Sequence, residues 1–319
     1  PIFCCGSLPS LDLTSLMYFG LTFLRLSSTR LLRRIRIEIV GLEVCDLLKR
    51  ICVGVVLAPL FLSVLFFLPP IYLVVMLAFI LALASFELLR ATQVAHHNGL
   101  YIFTAIAAAM IPFGCWRWGY GGWYIRAVSL ALMAVAFFFA VRQYGTEREI
   151  KFSEIVVCLF GGIAVPLFLS SLIPLKMMEN GRFLVLLPVL CAFTTDIGAY
   201  FAGVFLGKHR GVTKVSPNKS VEGYIGGLLT GGLFLLGYGL LLRQFAGLSV
   251  ELHIMALYGI LGSAITELGD LSFSLVKRQF GIKDYGTLLP GHGGMLDRFD
   301  SMIFAAPMLL ILVELIPAF

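Results

Sequence analysis

The sequence predicts an all-α, polytopic membrane protein of about nine transmembrane helices with a cytoplasmic N-terminus. Hydrophobic residues fill 59% of the 319 positions and charged ones only 13%, against roughly 45–50% and about 25% in soluble domains. Apolar runs long enough to cross a bilayer as helix, roughly 17–25 residues, recur along the whole chain. Lys and Arg are concentrated in alternate connections between those runs, the bias that orients helices in a membrane.

The predicted spans are 51–68, 71–89, 99–115, 123–141, 153–173, 183–205, 221–242, 253–278 and 301–318, divided by short polar or Pro/Gly breaks such as Pro69-Pro70. They are apolar all round, as burial in lipid requires, so periodicity does not tell which face meets lipid. No soluble domain fits between them, and there is no internal repeat or low-complexity tract. With the N-terminus in the cytoplasm, the cytoplasmic segments hold 19 of the 24 Lys and Arg residues. The other side keeps Arg117, Arg126, Lys176, Arg182 and Arg243. This arrangement puts loops 206–220 and 279–300 together on the cytoplasmic face and the C-terminus outside. The net charge of +6 then reads as topology and attraction to anionic head groups, with nothing calling for nucleic acid.

Residues 1–45 differ from the rest, with the cluster Arg30, Arg33, Arg34, Arg36 and only a weak apolar run at 11–24. They are expected to be an N-terminal extension or surface helix with no part in the chemistry, and residues 46–319 to form the transmembrane domain. The seven cysteines are odd in number, show no C-x-x-C pair and sit mostly in or beside apolar runs. They are expected to be packing residues.

Two polar stretches interrupt this hydrocarbon. In "ITELGDLSFSLVKRQF", Asp270, Ser274 and Lys277 are spaced i, i+4, i+7 and share one helix face. After a turn-rich segment, "MLDRFDS" resumes helix with Asp297 and Asp300 at i, i+3. Three carboxylates from two helix ends suit a hard cation carrying phosphates, with Mg²⁺ the natural choice. Gly291, Gly293 and Gly294 around His292 would let backbone N–H groups approach an anion at a helix start.

The second stretch is "TTDIGAYFAGVFLGKHRGVTKVSPNKSVEG", where Asp196 interrupts an apolar span. Its loop carries Lys208, His209, Arg210, Lys214 and Lys219, with hydroxyls at Ser216 and Ser220, a composition suited to a polyphosphate. Lys208, Arg210 and Lys214 also fit ordinary orientation signals. Glu222 fits either a substrate contact or the first-turn carboxylate of a capped helix.

These residues resemble the signature of the phosphatidate cytidylyltransferase (CDP-diacylglycerol synthase) family. The likeness runs from Ser274 through Lys277-Arg278, Lys283-Asp284, Pro290-Gly291-His292-Gly293-Gly294 and Asp297-Arg298 to Asp300. "DIGAYFAG", "SPNKSVEG" and Gly269-Asp270 resemble the family too, so the likeness is close over roughly 190–302, the expected catalytic part, and holds only in character before it. Phe273 departs from the pattern, because members often carry an acid there.

The resemblance implies transfer of the cytidylyl group of CTP to phosphatidic acid, giving CDP-diacylglycerol and pyrophosphate. It implies Asp270, Asp297 and Asp300 as ligands of Mg²⁺, with room for a second metal ion, and Lys277, Arg278, Lys219 and Arg298 as phosphate holders. Ser216 and Ser220 would shape the CTP site, and Asp196, Glu222, Lys283, Asp284, His292, Gly293 and Gly294 would complete substrate binding. The partners are CTP, phosphatidic acid and the bilayer of the cytoplasmic (inner) membrane, with the site facing the cytoplasm; a homodimer is compatible with it. Two other readings stay open, a transferase acting on another lipid phosphate such as a polyprenyl phosphate, and an ion-coupled transporter.

Overall fold

The computed structural model describes residues 55, 57–93, 98–147, 149–211, 213–288 and 293–319. The expected extension at 1–45, the start of the first span and His292 lie outside these residues. The described residues are mostly helical, and they include an isolated antiparallel bridge between Arg210 and Ser220.

We number the helices α1 (Leu57–Phe66), α2 (Pro70–Ala91), α3 (Asn98–Trp118), α4 (Trp123–Gln143), α5 (Phe152–Met177), α6 (Gly181–Phe205), α7 (Val221–Phe245), α8 (Leu252–Gln279) and α9 (Leu296–Leu315). Among the described residues, α2 to α8 are the seven that are long and apolar enough to cross a membrane. The α1 segment is short, and α9 opens with Asp297, Arg298 and Asp300 and carries Glu314. From α2 to α8 the helix boundaries fall within a few residues of the predicted spans, whereas α9 begins at Leu296 and ends at Leu315 where 301–318 was expected. The charged "LDRFD" stretch is thus the first turn of the helix itself.

Successive helices start where proline or a cap permits. Pro69-Pro70 opens α2 with a proline in its first turn, where the missing N–H has no partner to lose. Ser220 caps α7 by accepting the Gly223 N–H at 3.1 Å. Helix α5 widens into a π-turn at Phe160–Ala164 just ahead of Pro166, a distortion that absorbs the lost donor.

Contacts sort the connections to two ends. At one end, the C-terminal part of α2 meets the start of α9 through Glu87 and Leu296, and the 206–220 loop meets α8 through Lys219 and Asp270. At the other, Tyr120 bonds Leu167 and Ser171, Lys176 bonds the Leu65 carbonyl, and the Glu251 N–H donates to Ala318. The two unusual polar loops therefore share one end, as the sequence predicts.

Between the ends, α7 and α8 approach so closely that small residues are obligatory. A methyl group on Gly259 would come within 2.6 Å of the Gly232 Cα. Gly259→Ala should therefore force the helices apart, at a cost of roughly 1–3 kcal/mol, and lower the melting temperature of the detergent-solubilised protein by several degrees. Gly237→Ala, which meets no atom within 4 Å, should leave that temperature unchanged or raised.

Candidate active site

The shared end holds a pocket of about 550 Å³, within the roughly 300–1,000 Å³ usual for small-molecule sites. Asp196, Tyr200 and Val204 of α6 form one wall, Arg210, Asn218, Lys219 and Ser220 of the following loop another, and Asp270 and Lys277 of α8 a third. Asp284, Asp297, Arg298 and Asp300 close it.

Lys277 joins α8 to α9. Its Nζ lies 3.0 Å from Asp297 Oδ1 and 3.6 Å from Asp300 Oδ2. The three side chains retain 12%, 3% and 12% of their exposure respectively, so this is a largely desolvated triad. The other Asp297 oxygen, Oδ2, accepts the N–H groups of Tyr285 at 2.8 Å and Gly294 at 3.0 Å. Asp297 thus holds the turn-rich segment at two points. Gly293 sits at φ 80° with Asp297 and Asp284 against it, a backbone conformation open to glycine at little cost.

Lys219 reaches from the loop to Asp270 Oδ2 at 2.5 Å and lies 5.4 Å from the Tyr224 ring centroid. Burial opposes its charge, but the Asp270 carboxylate outweighs that effect and holds the ammonium pKa above the ordinary lysine value. Burial, helped by the charges of Asp300 and Asp297, pushes the Tyr285 phenol up. It remains a neutral donor to the Phe273 carbonyl at 2.9 Å.

The expected residues divide into those in the pocket and those around it. Asp196, Lys219, Ser220, Asp270, Lys277, Asp284, Asp297, Arg298 and Asp300 line the pocket. Ser220 is also the cap of α7, so one hydroxyl has both a structural and a lining place. Arg278 turns away to the Val215 and Ile282 carbonyls. Ser216 supports the loop turn, its carbonyl accepting the Lys219 N–H at 3.1 Å. Glu222 reaches back to His209, meeting Nδ1 at 2.6 Å, and lies outside the lining, as does exposed Lys283. Gly293 and Gly294 lie behind Asp297.

Sequence reasoning passed over Tyr200, Val204, Asn218 and Tyr224 as site residues, and of the loop cations it left open between orientation and phosphate binding, Arg210 lines the pocket. Asp196, Tyr200, Gly203 and Val204 repeat at i, i+4, i+7, i+8, the helical spacing that could have revealed this wall. Glu267, buried one turn before Asp270 with Oε1 lacking a hydrogen-bond partner, also went unremarked. The departure at Phe273 has a physical account. The ring is 1% exposed and packs edge-on against Tyr285 and Phe304, with Phe160 beside it.

Fold and site together define a helical protein whose charged pocket, rich in paired carboxylates, sits at one end of an apolar bundle. Residues 48–316 match the cytidylyltransferase family, and the chain belongs to that family. It is 33% identical over 249 residues to the phosphatidate cytidylyltransferase of Staphylococcus epidermidis, covering 76% of this chain and 90% of that protein. It is 33% identical over 243 residues to the protein of the same name from Staphylococcus haemolyticus, covering 74% and 88%. With the one from Staphylococcus aureus it shares 32% over 220 residues, covering 67% and 78%.

Phe273→Glu, which would introduce the acid that the sequence resemblance leads one to expect at this position, buries an unpaired carboxylate among aromatic rings here. The variant should lose most of its folded yield after detergent extraction. Phe273→Leu, which stays apolar and leaves only a partial cavity, should retain most of it.

Proposed function

We propose that the chain transfers the cytidylyl group of CTP to phosphatidic acid, releasing pyrophosphate and forming CDP-diacylglycerol for phospholipid synthesis. The observation that carries this reading is the convergence of Asp270, Asp297 and Asp300 with Lys219, Lys277 and Arg298 around one pocket at the end of an apolar bundle. Family membership and the names of the relatives support the substrate pair. An oxygen of the lipid phosphate attacks the α-phosphorus of CTP, and the bond from that phosphorus to the β-phosphate bridging oxygen breaks. A phosphate monoester is substantially ionised at neutral pH, so no general base is required. The catalytic work is to bring two anions together in line and to hold the charge of the departing pyrophosphate.

Lys219, Lys277, Arg298 and Arg210 are the cations lining the pocket, and we assign them to the phosphates. Asn218 and Ser220 offer neutral polar contacts for the nucleotide. Arg278, Ser216, Glu222 and Lys283 support the loops from outside the lining, and Asp196 and Asp284 set the charge of the rim.

Mg²⁺ fits the chemistry of the donors, which are hard carboxylate oxygens with lone pairs to spare. Among the described residues no three such groups already stand at metal-ligating spacing, because Lys277 lies between Asp297 and Asp300 and Lys219 is on Asp270. The pocket lines up five carboxylates against four cations, an excess of negative charge that opposes a polyphosphate. Asp270, Asp297 and Asp300 would hold the ion, which supplies charge neutralisation and Lewis acidity to the phosphates.

We further place all nine helices across the cytoplasmic membrane, with α1 and α9 completing the seven. The N-terminus and the pocket then face the cytoplasm, where the Lys and Arg excess lies.

Purified protein given CTP and phosphatidic acid should release pyrophosphate when Mg²⁺ is present. Activity with a polyprenyl phosphate and none with phosphatidic acid would reassign the lipid. Asp297→Asn keeps an acceptor for the backbone while removing charge, and turnover should fall at least about 100-fold in a protein that still extracts folded. Wild-type turnover in that variant would remove Asp297 from the metal site.

Asn218 and Thr287 are exposed members of the two loops. Single cysteines there, in a background without the native ones, should react with an impermeant reagent only from the cytoplasmic side. Labelling from the outside would invert the topology.

A further inference from the structure

Glu87 lies far from the catalytic part in sequence, near the end of α2, and is 7% exposed. Its Oε2 accepts the N–H of Leu296 at 2.9 Å, across 209 residues of chain. Leu296 opens α9, whose own N-cap residue, Met295, supplies no side-chain cap. The first N–H groups of a helix lack partners within it, and here one is met by a carboxylate from a different helix, at the end where the dipole favours negative charge.

The same carboxylate lies flat against two glycines. A methyl group on Gly286 would come within 2.5 Å of Oε1, and one on Gly294 within 2.5 Å of Oε2. Oε1 is buried with no hydrogen-bond partner, an arrangement costly for a carboxylate unless it secures something else. Gly286 follows Tyr285, and the N–H groups of Tyr285 and Gly294 are the two that fix Asp297 Oδ2. Glu87 therefore backs the two backbone segments whose amides aim Asp297 into the pocket, while Glu87 itself is absent from the lining.

We propose that Glu87 is a positioning residue for nucleotidyl transfer: from behind, it clamps the Tyr285–Gly286 and Gly294–Leu296 backbone and so fixes the orientation of Asp297. The proposal rests on the functional reading given above. Because Glu87 touches neither substrate, its loss should slow turnover without weakening CTP binding in proportion.

The test uses the full-length protein in detergent, with hydrogen exchange at residues 284–297 measured beside steady-state rates. Glu87→Ala should speed exchange of the Tyr285, Gly294 and Leu296 amides at least about tenfold, leaving α3 and α4 unchanged. It should also lower kcat at least about tenfold while the KM for CTP moves less than about threefold. Glu87→Gln keeps an oxygen for the Leu296 N–H and should restore both quantities to within about threefold of wild type. Gly286→Ala pushes on the same carboxylate from the opposite side and should reproduce the local exchange and kcat effects, which keeps the test decisive if Glu87→Ala does not fold. Equal behaviour of the Gln and Ala variants, faster exchange throughout the protein, or normal exchange and kcat in Gly286→Ala would overturn the clamp. Wild-type protein inactive on CTP and phosphatidic acid would sink the functional reading instead, and the exchange arm would still decide whether Glu87 holds this segment.

Discussion

Carboxylates at the end of an apolar helix bundle are costly unless each finds a partner, and Lys277 meets that requirement for two of them at once. Its ammonium contacts both Asp297 and Asp300, so it ties the last turns of α8 to the first turns of α9. Asp297 then passes the constraint onward, because its second oxygen gathers two backbone N–H groups from the segment between those helices. The connection between α8 and α9 is long and rich in glycine, yet three of its points are fixed by side chains. Removing Lys277 would leave two buried negative charges about the same ammonium-sized space, which is far worse than losing one surface ion pair.

Helix packing fixes the depth at which these charges meet. The near contact of Gly259 with the α7 backbone draws α7 and α8 together, and the cap at Ser220 starts α7 at the level where Lys219 can reach Asp270. An apolar side chain at position 259 would act on the pocket from well outside it, through the spacing of the helices that carry its walls.

The sequence disclosed the helices because a bilayer demands long apolar runs, and length alone identifies them. The two polar loops were legible for a related reason, since charge in such company has little structural use. What stayed hidden was set by pairing in space. Arg278 and Arg298 look alike in sequence, and only the fold turns one toward the Val215 and Ile282 carbonyls and the other into the pocket. Glu87 read as one acid near the end of a span, because its partner is 209 residues away. The π-turn in α5 left no mark beyond Pro166 and a glycine pair, signals found equally in regular transmembrane helices. Serine at 216 and at 220 offered the same hydroxyl, yet only Ser220 both caps a helix and faces the pocket.

The α6 wall has a bearing on how substrates arrive. Tyr200 and Val204 line the pocket, yet they are 66% and 53% exposed, with Ile197 and Phe201 open beside them. The charged cavity therefore has a hydrocarbon doorstep on its flank. For the lipid substrate proposed here, a head group can swing into the cavity while its tails stay among their neighbours, so no methylene meets water; exposing each would cost about 0.8 kcal/mol. The nucleotide comes through the aqueous mouth and is counted per unit volume. The lipid comes sideways and is counted per unit area, so diluting the bilayer with inert lipid starves the reaction even when the total amount of substrate in the tube is constant.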